Sequence, residues 1–241
     1  MIDKNSPLPI YYQIEEYIKE RIQNKQFQPG DILPSEREMA ETFNISRMTV
    51  RQAINNLVNE NLLFRKKGKG TFVAEKKIAQ PLQGLTSFTE DMKNRGMIPS
   101  NRLLFFDEEI VDPAITKELG IDPSAKVYLI RRVRLADGSP IALETSYIPI
   151  DLTPGLTADV IQTSFYHYVE DTLNHTIDYG TQVIGATLAS TDEKEYLHVE
   201  KGEPLLQIQR KTHLKDGRVL ELVRSSYRAD RYTFITTMHR S

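Results

Sequence analysis

The chain contains no cysteine. That excludes disulfides, thiolate nucleophiles and cysteine-based zinc sites, and it fits a reducing cytoplasm. No run of about 18 apolar residues occurs, so no membrane span is expected. Met1-Ile2-Asp3-Lys4 passes straight into polar sequence, without the apolar core of a signal peptide. Histidine is scarce. His167, His175, His198, His213 and His239 show no metal-ligand spacing and read as ordinary surface or core residues. No metal and no cofactor are expected. An overall excess of positive charge is also missing, since the net charge is −2.

That small net charge hides a division. Met1 to Lys77 carries 13 Lys+Arg against 10 Asp+Glu, a balance of +3, while the remainder carries 18 against 23, or −5. Within Arg37 to Gly70 the count is 7 against 3. Positive charge is therefore concentrated on one short stretch, as on a nucleic-acid-binding surface. A length of 241 residues suits one large or two ordinary domains.

The stretch from Leu33 to Val73 reads LPSEREMAETFNISRMTVRQAINNLVNENLLFRKKGKGTFV. Ser35 and Glu38 form a capping box at the start of a short helix. Asn44 ends that helix, and Ser46 caps a second one. Behind Ser46, Val50, Ala53, Ile54 and Leu57 form one apolar face, which leaves Arg47, Arg51 and Gln52 pointing outward. A helix, a short turn and a second helix with a basic outward start is a helix-turn-helix, whose second helix enters the major groove. Two short strands follow, Leu62 to Phe64 and Thr71 to Val73. The turn between them holds Arg65, Lys66, Lys67 and Lys69 with Gly68 and Gly70, a wing suited to phosphates or the minor groove.

These runs resemble the N-terminal domain of the GntR family of bacterial transcription regulators. The similarity lies in Leu33-Pro34-Ser35-Glu36-Arg37, in Ser46-Arg47-Met48-Thr49-Val50-Arg51-Gln52-Ala53 and in Gly68-Lys69-Gly70-Thr71-Phe72-Val73. Met39 and Ile54 stand where leucine is usual and remain apolar. Asn61 stands where glycine is usual, and asparagine is the next-best residue for a left-handed helix end. The resemblance implies contact with double-stranded operator DNA through Ser35, Arg37, Ser46, Arg47, Thr49, Arg51, Gln52, Lys67, Gly68, Lys69 and Gly70. Arg37 and Arg47 are expected to read bases, and Arg51, Thr49 and the wing to hold the backbone.

A further helix precedes this stretch. Pro9 is a first-turn residue, and Ile10, Ile14, Ile18 and Ile22 recur every four positions. The winged helix-turn-helix domain is expected over residues 1–75, a polar linker over 76–82 and a second domain over 83–241. In the second part Ser87 and Glu90 form another capping box, and Asp112-Pro113 starts a helix that ends at Gly120. Val127 to Leu135 and Pro140 to Pro149 form a hairpin through Asp137-Gly138. Ser164 to Leu173 reads as a helix, and Thr191-Asp192-Glu193 caps another. A second hairpin, Leu205 to Leu214 and Val219 to Arg228, turns at Asp216-Gly217. The two Asp-Gly hairpins hint at a weak internal duplication. Strands in hairpins interleaved with helices mean an α+β fold with a mostly antiparallel sheet.

Leu82 to Phe234 resembles the effector domain of the HutC-type subfamily of GntR regulators, which has the chorismate-lyase-like fold. Leu85-Thr86-Ser87-Phe88-Thr89-Glu90-Asp91-Met92, Arg131-Arg132-Val133-Arg134, Glu144-Thr145-Ser146-Tyr147 and Tyr227-Arg228-Ala229-Asp230-Arg231-Tyr232-Thr233-Phe234 carry the similarity. As a set they are similar to the N-acetylglucosamine-utilisation repressors of Gram-positive bacteria. Ser87, Phe88 and Thr89 open a helix whose free N–H groups favour an anion. Arg132 is a fork suited to phosphate. Ser164 and Tyr166 add hydroxyl donors, Glu144 and Glu221 accept from sugar hydroxyls or an amine, and Arg134 and Tyr227 close the pocket. The expected function is a cytoplasmic homodimeric repressor, released from a pseudo-palindromic operator by glucosamine 6-phosphate or N-acetylglucosamine 6-phosphate. Alternatives stay open: a carboxylate effector such as urocanate, a lyase-like enzyme using Arg and Glu, or a plain cross-strand Arg–Glu pair.

Overall fold

The computed structural model describes residues 2–74, 77–82, 84–238 and 240, and divides at Lys77/Ile78 into two compact units. Glu75 and Lys76 of the expected linker, Gln83 at the expected start of the second domain, and His239 lie outside the described residues.

The first unit holds helices α1 (Ile10–Gln23), α2 (Glu36–Phe43) and α3 (Arg47–Asn59), then strands β1 (Leu63–Lys66) and β2 (Gly70–Val73). The isoleucine stripe of α1 faces inward: Ile14 and Ile18 are fully buried against Val50, Ala53, Ile54 and Leu57 of α3, with Ile10 and Ile22 at the margin. Each such buried side chain contributes roughly 1.5–3 kcal/mol. Asn44 takes the left-handed conformation that ends α2, and Asn61 does the same after α3, as the Asn-for-Gly exchange allows. In the wing Gly70 has φ +122°, and a Cβ there would meet Ile32 Cδ1 at 2.9 Å. Only glycine fits that turn.

The second unit is built on a six-stranded antiparallel sheet. Its strands are β4 (Pro99–Ile110), β5 (Lys126–Ala136), β6 (Ser139–Pro149), β7 (Ile177–Leu188), β8 (Pro204–Leu214) and β9 (Val219–Arg228), in the order β4-β5-β6-β9-β8-β7. Helices α4 (Phe88–Asn94), α5 (Pro113–Leu119), α6 (Ala158–Gln162), α7 (Phe165–His167) and α8 (Thr191–Leu197) cover it. The chain thus runs helix, strand, helix, hairpin twice, α4-β4-α5-β5-β6 and then α7-β7-α8-β8-β9, and the two runs meet at the β6–β9 seam. This repeat agrees with the two Asp-Gly hairpins. Helices α5 and α8 pack on the sheet face that carries Val127, Val133 and Leu222, whereas α4, α6 and α7 pack on the other.

Three details differ from expectation. Ile78–Pro81, read as linker, is a strand, β3, paired in parallel with β10 (Tyr232–Ile235), and Ile78 is buried in the core. Its partner lies at the far end of the chain, where local patterning gives no hint of it. The cap of α8 is Ser190, whose side chain pairs with Glu193, rather than Thr191. The helix expected from Ser164 to Leu173 is a single α turn followed by a π turn over Tyr168–Thr172.

Candidate nucleic-acid interface and ligand pocket

Two capping motifs set the recognition face of the first unit. Ser35 Oγ accepts from the Glu38 amide at 3.2 Å while the Ser35 amide donates to Glu38 Oε2 at 2.7 Å. Ser46 Oγ accepts from the Thr49 amide at 3.1 Å and lies 2.9 Å from the Thr49 hydroxyl. An open groove between these helix starts and the wing is lined by Ser35, Arg37, Arg47, Lys67, Gly68, Lys69 and Gly70. Arg47 is exposed and has no ion-pair partner among the described residues. Arg37 is exposed and pairs with Glu41 at 2.8 Å, one helical turn away.

Ser46, Thr49, Arg51 and Gln52 are not part of the groove lining. Arg51 and Gln52 are exposed on α3, and Arg51 donates to Glu36 at 2.9 Å. Glu36 also meets Arg65 of β1 at 3.3 Å, and Arg65 donates to Asn55 Oδ1 at 2.7 Å. One carboxylate thus ties the recognition helix to the wing and takes up part of two cationic charges. The sequence assigns Glu36 no role beyond its place in the Leu33-Pro34-Ser35-Glu36-Arg37 run; its sign opposite to Arg51 and Arg65 was the available signal.

In the second unit, strand alternation brings Arg132 and Arg134 of β5, Glu144 of β6, Glu221 and Tyr227 of β9 and Arg210 of β8 to one sheet face, under α4 and α7. They line a pocket with about 690 Å³ of empty space, partly open to solvent. Register pairs Arg132 with Glu144 directly, so the plain cross-strand pair exists and lies in the pocket. Arg132 Nε and Nη2 donate to Glu144 Oε1 at 2.7 and 2.6 Å, and Nη1 donates to the Ile161 carbonyl at 3.0 Å. Arg134 lies over the Phe88 ring at 4.6 Å and donates to Asn101 Oδ1 at 2.7 Å. The Tyr166 hydroxyl donates to Glu221 Oε1 at 2.9 Å, and Thr212 Oγ1 donates to the same oxygen at 3.1 Å.

The two glutamates have opposite electrostatics. Burial raises the Glu144 carboxyl, but the Arg132 and Arg134 guanidiniums outweigh it and hold the group down to about 2. Burial also raises Glu221, and there the hydrogen bond from Tyr166 offsets only part, so it stays above the usual carboxylate range. Arg134 is lowered to about 10 by burial and by Arg132 beside it, and burial pushes the Tyr227 hydroxyl up to about 12. The pocket combines closely spaced buried cations with one firmly ionised and one readily protonated carboxyl, a donor and acceptor set suited to a small polar anion.

The sequence matches the family described as "Bacterial regulatory proteins, gntR family" over residues 10–73 and the one described as "UTRA domain" over residues 94–233. The chain belongs to the GntR family. It is 48% identical over 241 residues to the HTH-type transcriptional repressor NagR of Bacillus subtilis, spanning 99% of this chain and 98% of that one. It is 34% identical over 226 residues to the mannosyl-D-glycerate transport/metabolism system repressor MngR of Escherichia coli, spanning 94% of each. The crystal structure of PhnF from Mycobacterium smegmatis superposes with a TM-score of 0.68 at 30% identity, spanning 95% of this chain and all of that one. These relatives are regulators, not enzymes, and this chain is a GntR transcriptional repressor with a UTRA domain, hence a DNA-binding protein. Among the described residues no helix is long and apolar enough to cross a membrane.

Of the effector residues expected in this GntR repressor, Ser87, Phe88, Thr89, Arg132, Arg134, Glu144, Tyr166, Glu221 and Tyr227 line one pocket. Ser164 does not: its Oγ accepts from the His167 amide at 3.5 Å as the cap of α7, and it is the next residues, Phe165 and Tyr166, that turn into the pocket. Six polar lining residues were not foreseen: Gln80, Thr86, Asp91, Arg210, Ser225 and Tyr232. Arg210 donates to Gln182 Oε1 at 2.8 Å and to the Thr86 carbonyl at 3.1 Å. Its alternation with Ile208 and Thr212 on a strand was the signal that could have found it. Gln80 and Asp91 both accept from the Tyr232 hydroxyl, at 3.0 and 3.2 Å, which only the β3–β10 pairing brings about.

Proposed function

We propose that this repressor acts as a cytoplasmic homodimer on a pseudo-palindromic operator and is released by glucosamine 6-phosphate or N-acetylglucosamine 6-phosphate. The observation that carries the effector is the convergence of Arg132, Arg134 and Arg210 with Glu144 and Glu221 in one pocket. The phosphate competes with Glu144 for Arg132 and is flanked by the first amides of α4, which have no intrahelical partner. Glu221, Glu144 and the Tyr166 and Tyr227 hydroxyls meet the sugar's hydroxyls and its amine or amide. The resemblance of its motifs to the N-acetylglucosamine-utilisation repressors motivates this choice of sugar.

In the reading unit, Arg37 and Arg47 contact base edges, while Thr49, Arg51 and the wing hold phosphates. Release requires that the sugar phosphate bind the arrangement that grips DNA poorly better than the one that grips it well. Coupling is reciprocal, so operator DNA lowers sugar-phosphate affinity by the same factor.

Titration calorimetry with each sugar phosphate, its unphosphorylated parent, urocanate and the Arg132→Ala variant tests the effector. Phosphate-dependent binding that Arg132→Ala weakens is the expected result. Equal affinity for phosphate and parent sugar removes the phosphate site, and binding of urocanate alone assigns the pocket to a carboxylate.

A further inference from the structure

The outward stripe of α3 is polar except at one position. At about 100° per residue, Met48, Arg51, Gln52 and Asn55 lie opposite the buried Val50, Ala53, Ile54 and Leu57, and all four are exposed. Met48 is the exception to the polar run. It is 67% exposed, more than any other large apolar side chain among the described residues of the first unit; Ile32 follows at 56% and Leu8 at 51%. Two members of the stripe are held within the unit: Arg51 by Glu36 at 2.9 Å and Asn55 by Arg65 at 2.7 Å. Met48 and Gln52 stand beside them, one turn apart.

A single exposed apolar residue is ordinary on a protein surface. Its place gives this one a use. Met48 directly follows Arg47, at the start of the helix that enters the major groove, where base edges are reached. The edges in that groove offer one apolar group, the C5 methyl of thymine, while adenine offers an N7 acceptor beside an N6 donor. An unbranched, polarisable methionine tip fits the methyl, and a glutamine amide matches the two adenine atoms. Four residues of helix span about 6 Å and base pairs stack about 3.4 Å apart, which puts the two side chains on neighbouring pairs.

We propose that Met48 is a specificity-determining residue of the operator contact, packing on a thymine methyl, with Gln52 on a nearby adenine. The operator then carries A·T pairs beside the guanine taken by Arg47. This rests on the reading of α3 as the helix that meets base edges, and it adds a base preference that the arginines do not supply.

The test uses the full chain and a duplex that the wild type selects from a random library, with each thymine replaced in turn by uracil. Uracil pairs as thymine does and lacks only the methyl. The wild type should lose about three- to fivefold in affinity at a thymine beside the guanine, the factor expected from burying one methyl-sized group. Met48→Ala should bind the thymine and uracil duplexes alike, with unchanged circular dichroism, and Met48→Leu, which keeps an apolar tip, should keep the preference. If no uracil costs the wild type affinity, or if Met48→Ala retains the full preference for thymine, the proposal is overturned. Arg47→Ala separates this outcome from failure of the underlying reading. Should neither Arg47→Ala nor Met48→Ala change the sequence selected, the reading of α3 falls and the proposal with it. Should Arg47→Ala alone change it, α3 keeps its role and Met48 loses the one assigned here.

Discussion

The two units use the same side chains in opposite ways. In the reading unit the arginines and lysines around the groove stand in water: the Arg37 side chain is 74% exposed even while paired with Glu41. In the effector unit Arg132, Arg134, Glu144 and Glu221 are each at most 6% exposed. A polyanion that sheds counterions needs solvated, mobile cations. A small ligand needs charges already desolvated and aimed, held by partners until it arrives. The contrast teaches that in this protein burial, more than residue type, separates the exposed groove of the reading unit from the pocket of the effector unit.

Truncating an arginine in each unit breaks the comparison most sharply. Arg132→Ala takes from the buried Glu144 its directly paired guanidinium, and breaking a buried pair costs about 3–5 kcal/mol. Urea unfolding should show that loss in the effector unit's transition. Arg37→Ala removes an equally short but exposed pair and should leave the reading unit's unfolding midpoint nearly unmoved.

Acidity sharpens the contrast inside the pocket. Glu144 is held at about 2 in the folded chain against an ordinary 4.5, so its stabilisation is complete above pH 4.5 and is lost as pH falls toward 2. Glu221 is raised, so its contribution is complete below 4.5 and is lost as pH rises through its folded value. Glu144→Gln should flatten the acid limb of a stability–pH curve. Glu221→Gln should flatten the opposite limb and stabilise the protein at neutral pH. Identical curves for the two variants would refute the opposed assignment.

On the exposed side, effects should appear in binding rather than folding. A bidentate arginine–guanine contact is worth about 1–3 kcal/mol of discrimination, so Arg47→Ala should narrow the gap between operator and random DNA. Lys69→Ala should weaken both alike and reduce the salt slope by about one. Fluorescence anisotropy over a salt series separates them. The smallest change is expected from Glu36→Gln, which frees Arg51 and Arg65 from their shared carboxylate. Affinity for random DNA should rise by less than about tenfold, with little loss of stability.

How much could be read beforehand follows the same divide. The reading unit is local: the caps at Ser35 and Ser46, the face behind Ser46 and the glycines of the wing each act within a few residues. Its elements and exposed cations were therefore legible. The hairpins of the effector unit were legible from their Asp-Gly turns, and strand alternation put Arg132 and Arg134 on one face. Tyr232 was not, because it reaches the pocket through the β3–β10 pairing, which no short window contains; Arg210 lies on a legible hairpin strand, and its alternation with Ile208 and Thr212 was passed over. Ser164 misled for the opposite reason: its local signal was a true helix cap, but the cap of α7 is not part of the pocket lining, whereas Ser87, the cap of α4, is.

The parallel pair of β3 and β10 bears on the order of folding. Ile78 opens the effector unit, yet it waits for Tyr232, almost the last structured stretch to be synthesised. Contacts that distant are slow to form, whereas the helical reading unit closes over short separations. During synthesis the reading unit therefore matures first, and the pocket last, because Gln80 and Tyr232 are among its walls. A chain cut short before Tyr232 would carry a finished reading unit and a pocket with one wall missing.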